Sequence, residues 1–149
     1  RAALDRIGRY VGLDPYFSDI EALEAHLREI HAPFGPLTDA QWRHLAVHGH
    51  RTLPDGRFGL AYDPAIGAAM RGSNSDVDLW SVYDQVTCPV LVIRGAESDL
   101  LRADTAAEMT RRGPCATLYE VPDAGHAPAL MADDQVDAIE RFFQADMAS

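Results

Sequence analysis

Apolar residues recur at two different spacings along this chain, and the change comes near its middle. Through the first half they repeat at three and four, the period of helices with one buried stripe. Leu4, Ile7 and Val11 begin the series, and Gly12 stops it. Ile20, Leu23, Leu27 and Ile30 form the next stripe. Ser18 and Glu21 stand at its start in S-x-x-E spacing, which predicts a capping box for the free N–H groups of the first turn. "HAPFGP" breaks that helix. Thr38 with Gln41 caps a third, which carries Trp42 and Leu45 and ends near Gly49. In "RTLPDGRFGLAY", Asp55-Gly56 lies between two short β-like runs, a hairpin signal. Residues 63–78, rich in Gly, Ser, Asn and Asp, read as a loop or linker.

The second half has another rhythm. "DLWSVYDQV" predicts a short amphipathic helix. Pro89 to Ile93 is a continuous apolar run closed by Arg94-Gly95, which suits a strand covered on both faces, as in a parallel sheet. Thr105 with Glu108 predicts the cap of the following helix, and Gly113-Pro114 its end. "ATLYEV" is a second strand, and Val136, Ile139 and Phe143 share one face of a closing helix. Strand, helix, strand, helix make a βαβ unit plus one helix.

Composition narrows the partners. The 149 residues carry a formal net charge of −10, which disfavours nucleic acid or an anionic membrane surface. No apolar run is long enough to cross a bilayer. Cys88 and Cys115 form no disulfide framework; beside strand-like runs they are expected as buried or half-buried thiols, in a reduced cytoplasmic protein. A chain that opens on Arg1, directly in helical pattern, is expected to be a piece of a longer protein.

Chemistry gathers where the two strands of the second half end. In open α/β sheets, functional groups lie beyond the carboxyl ends of the strands. The first strand leads into "GAESDLL", with Glu97, Ser98 and Asp99; the second leads into "PDAGH", with Asp123 and His126. A carboxylate on one imidazole nitrogen fixes the tautomer and leaves the other nitrogen as a general base. Gly125 is expected to let the backbone turn sharply before the ring. Asp123 reads as a solvated turn residue.

"CPVLVIRGAESDLL" followed by "VPDAGHAPALMADDQVDAIERFF" resembles the C-terminal portion of the α/β-hydrolase family, over residues 77 to 146. In that family the order along the chain is nucleophile, acid, histidine. The resemblance makes Asp99 the triad acid, with Glu97 the rival, and His126 the base. Ser98 occupies the place, three residues after the glycine, where the acid often sits. Residues 1–76 then correspond to a helical cap or lid, and 77–149 to the last βαβα unit of the hydrolase core. The fold class expected is α/β.

No G-x-S-x-G elbow occurs in the chain. Ser18 and Ser81 lie in helical patterns, Ser73 and Ser75 in "RGSNSD", and Ser98 beside the acid. The resemblance therefore implies a serine hydrolase of a small carbonyl substrate (ester, lactone or C–C bond) whose nucleophile lies upstream, and a chain inactive alone. It implies no redox or metal cofactor. The other reading is a non-catalytic module that binds small molecules or partners. His44 and His48 share a helix face, yet no further ligand set accompanies them; His31 is placed at a helix end or under the cap. Without its family neighbour, the first strand presents an apolar edge, expected to pair with a second copy or a retained N-terminal piece.

Overall fold

The computed structural model describes residues 11–67 and 77–147. Leu4, Ile7, Ser73 and Ser75 lie outside the described residues. The chain divides into two compact units, one containing the described residues 11–32 and 37–67, the other 33–36 and 77–147.

In the first unit, β1 (Tyr16–Phe17) leads to α1 (Ile20–Ile30), followed by a 3-10 turn over Ala32–Phe34. Then come α2 (Asp39–His48), β2 (His50–Thr52) and β3 (Phe58–Leu60). The Asp55-Gly56 signal is a hairpin: β2 and β3 pair antiparallel, His50 against Leu60 and Thr52 against Phe58, and Gly56 turns with φ of 84°. β1 joins the other side of β3, a strand that the helical patterning had hidden. The two helical stripes meet this sheet in one core of Leu23, Leu27, Trp42, Ala46 and Leu60.

Of the two caps predicted in this unit, one forms as expected and the other shifts by one residue. Thr38 and Gln41 close a capping box at α2, and the N–H of Gly49 bonds to Leu45 O at its end. At α1 the cap is Asp19, not Ser18: Asp19 Oδ1 accepts the Ala22 N–H at 2.8 Å, and the Ser18 hydroxyl donates to the same carboxylate. Two capping residues stand side by side, and the carboxylate one place nearer the helix reaches its free N–H groups.

The second unit contains α3 (Trp80–Tyr83), β4 (Leu91–Gly95), α4 (Ala103–Met109), β5 (Thr117–Val121) and α5 (Asp133–Met147). β4 and β5 pair in parallel from Leu91 against Thr117 to Gly95 against Val121, with α4 between them in sequence. The α/β class expected from the patterning is what the structure has. Val92 and Arg94 are buried while Leu91 and Ile93 are half-buried, so only one face of β4 is fully covered.

Two expectations need correction here. α4 starts two residues before Thr105; Arg102 is its N-cap position and supplies no side-chain cap, while Asp104 Oδ1 accepts the Thr105 N–H. Cys88 and Cys115 are both exposed. They precede β4 and β5, at the open ends of the strands, and line a hollow of about 320 Å3 with Pro89, Pro114 and Phe142. Val136 and Phe143 on α5 are exposed. Among the described residues no helix is long and apolar enough to cross a membrane.

Candidate active site

The parallel register brings the carboxyl ends of β4 and β5, Gly95 and Val121, side by side. The loops beyond them stay joined. The Ala96 N–H donates to Val121 O at 2.8 Å, and the Glu97 N–H to Ala124 O at 2.9 Å. The approach is so close that a Cβ on Gly95 would lie 1.8 Å from Gly125 O. Only a glycine fits there.

The turn before His126 is made differently from expectation. Asp123, not Gly125, takes the left-handed conformation, with φ of 53°. Asp123 is an exposed turn residue, and its short polar side chain tolerates that geometry. Gly125 serves close packing: its Cβ would meet the Pro33 Cβ at 2.8 Å, and its N–H donates to Pro33 O at 2.7 Å. The Ala129 N–H reaches Phe34 O. The "PFG" segment therefore backs the histidine loop.

His126 is exposed, and its Nδ1 lies 3.3 Å from the Ser98 hydroxyl. Asp99 follows on the same turn, exposed, as is Glu97. Ser98 is buried and also accepts the Leu101 N–H at 3.1 Å. Beneath the turn is Arg94, only 5% exposed. Its guanidinium donates to Leu101 O at 2.8 Å and Ser98 O at 3.3 Å, and pairs with Glu120, its cross-strand neighbour, at 2.6 Å. Sequence reasoning missed Arg94 and set Ser98 aside. The available signal was a charged residue closing an apolar strand, which burial tolerates only when every donor is engaged.

Other candidate residues have other surroundings. His44 and His48 are exposed with ring centroids 4.3 Å apart. Among the described residues no group of three or more His, Cys, Asp or Glu is placed to hold a metal ion. His31 is the C-cap of α1, its N–H bonded to Leu27 O; burial, and then the nearby His26, lower its pKa. A hollow of about 520 Å3 in the second unit is lined by Val77, Asp78, Leu79, Trp80, Tyr83, Thr105 and Met109, and neither Ser98 nor His126 lines it.

No family model matches the sequence. The chain is 40% identical to the 3-hydroxybutyrate-oligomer hydrolase of Cupriavidus necator, across 95% of this chain and 52% of that protein. It is 36% identical to the 2-(acetamidomethylene)succinate hydrolase of Mesorhizobium japonicum, across 74% of this chain and 38% of that protein. It superposes on the crystal structure of an α/β hydrolase from Novosphingobium aromaticivorans with a TM-score of 0.82 and 34% identity, covering 96% of this chain and 52% of that one. The chain thus spans about half the length, or less, of these proteins.

Proposed function

The chain belongs to the α/β-hydrolase fold family, matching its C-terminal portion, and from that premise we propose that it carries the acid–base half of a serine-hydrolase site. His126 is the base and Asp99 the acid. The observation that carries this is the placement of His126, exposed beyond β5 and held against the loop that leaves β4. In the proposed reaction Nε2 takes the proton of a serine hydroxyl supplied by sequence upstream of these residues. The alkoxide attacks a carbonyl carbon, and the imidazolium returns its proton to the leaving group. His126 then deprotonates a water that hydrolyses the acyl-enzyme. Asp99 stabilises the imidazolium through its charge.

The substrate we propose is a small ester, with lactones and C–C bonds the further members of the class. The ester is favoured by the Cupriavidus relative, whose match spans nearly all of this chain. The first unit is proposed as the cap that shapes the substrate pocket. Among the described residues β4 pairs with β5 alone, and its other edge is proposed to receive a strand of the upstream half.

Short-chain p-nitrophenyl esters test this. A protein extended upstream to the relatives' length should hydrolyse them, and His126→Ala should lower kcat/KM by about 1,000-fold or more. The 149-residue chain alone should show no turnover. Hydrolysis by that chain, abolished by His126→Ala, would place the nucleophile inside it. An extended enzyme indifferent to His126→Ala would remove the triad assignment.

A further inference from the structure

We propose that Cys88 and Cys115 form a reversible dithiol–disulfide modification site, which closes to one internal bond by reducing a small disulfide of the glutathione class. Both residues are exposed, and both line the hollow of about 320 Å3 where β4 and β5 begin. That is the far end of the strands from His126, so the site is independent of the proposed hydrolysis.

The two chain segments run side by side between fixed points. At one end Arg112 pairs with Asp84, and a Cβ on Gly113 would lie 2.8 Å from Tyr83 O. At the other end the Thr117 N–H donates to Val90 O at 2.9 Å. Cys88 and Cys115 lie between these ties, one on each segment. Counting back from Leu91 against Thr117, they stand one step out of register. Adjacent strands run about 4.8 Å apart and rise about 3.3 Å per residue, which puts the Cα atoms of such a pair about 6 Å apart. A disulfide spans roughly 4.4–6.8 Å between Cα atoms.

Pleating alone would turn two residues one step out of register to opposite faces. Cys115 breaks the pleat: its φ is 51°, a conformation that a residue other than glycine rarely adopts. The turn holds it there, with the Cys115 N–H on Arg112 O and the Ala116 N–H on Met109 O. Burial, and then Cys115, hold the Tyr83 phenol above its ordinary pKa, so that cysteine lies toward α3, the helix that leads to Cys88. Proline stiffens both positions, since Pro89 follows Cys88 and Pro114 precedes Cys115. Little backbone freedom is left to lose when the bond closes.

The exchange takes two steps. One protein thiolate attacks the small disulfide, forms a mixed disulfide and releases one small thiolate. The second protein thiolate attacks the protein sulfur of the mixed bond and releases the other. Two protein thiols are oxidised to one disulfide, one small disulfide is reduced to two thiols, and the two protons end on the released molecules. The bond ties β4 to β5 ahead of their first paired residues.

The 149-residue chain in a glutathione redox buffer tests this. The native chain should become a monomer with one Cys88–Cys115 bond, read as a cross-linked peptide after digestion without reductant. Excess reduced glutathione should reopen it. The equilibrium for closure, expressed as an effective concentration, should be at least about tenfold higher in native buffer than in urea, because the fold and not a flexible loop brings the thiols together. Chains that stop with glutathione on each cysteine, or that cross-link to one another, overturn the proposal. So does an effective concentration that urea leaves unchanged. Cys88→Ser and Cys115→Ser should each retain one glutathione, and the native-against-urea comparison needs neither variant.

Discussion

The two units bury their apolar residues in different ways. The first closes a core of its own: Leu23, Leu27 and Trp42 meet Leu60 of the hairpin, and large side chains are at its centre. In the second, the buried apolar residues are small, Val92, Ala106, Ala116, Val121 and Ala124. Several of its larger apolar groups are at the surface, with Val77 69%, Leu79 61% and Phe143 62% exposed, and others, such as Ile93 and Phe142, are half-buried. Its two strands are held together chiefly by backbone hydrogen bonds and close glycine contacts. Apolar burial makes a unit stable by itself, whereas strand ends held by backbone contact make a site. The first unit is built for the former and the second for the latter.

That contrast can be broken most forcefully at Gly95. A methyl group there would collide with the backbone of Ala124 and Gly125, and no side chain can move aside. Gly95→Ala should cost more than about 4 kcal/mol and remove the β4–β5 pairing. Amide exchange should show that loss in the second unit while α1 and α2 stay protected. Loss of protection in both together would mean that the units do not fold separately.

A paired substitution sharpens the comparison. Trp42→Ala empties the centre of the first core and should cost about 3–5 kcal/mol in urea denaturation. Phe143→Ala removes a side chain of comparable kind from an exposed position and should cost less than about 1 kcal/mol. Equal costs would show that Phe143 is covered in solution by something that binds α5.

The smallest effect is a pH dependence confined to the first unit. Burial, with His26 adding to it, depresses the folded pKa of His31, so the folded state binds its proton less readily than the unfolded chain. The stability this contributes is present above the unfolded value, about 6.5, and is lost as pH falls below it. Thermal melts between pH 7 and 5 should fall for the wild type. His31→Asn should flatten that slope, and an unchanged slope would assign it to other groups.

Much of the fold was legible because its signals are local. The Thr38–Gln41 box, the Asp55-Gly56 turn and the order of strand and helix in the second half each depend on residues a few positions apart. The site was legible in part. His126 could be located by its loop, but the atom that meets its ring could not. Ser98 and His126 are 28 positions apart, and they meet only because β4 and β5 align Gly95 with Val121. A shift of register would bring another residue of "GAESDLL" to the ring.

Adjacent choices escaped the pattern for similar reasons. Ser18 and Asp19 can each cap a helix, and only the path of the chain into α1 decides between them. The cysteines adjoin apolar runs, yet the strands begin beyond them and leave both thiols in the open.

By itself, then, the sequence determined the periods, the caps' chemistry, the α/β order and the loops that carry Asp99 and His126. Those follow from which backbone groups each residue can satisfy near itself. Only the tertiary structure decided which side chain faces the imidazole, which glycines must stay glycine, and that Arg94 is a buried brace. Those depend on distances between segments far apart in the chain, fixed by register and packing together, and no local pattern encodes them.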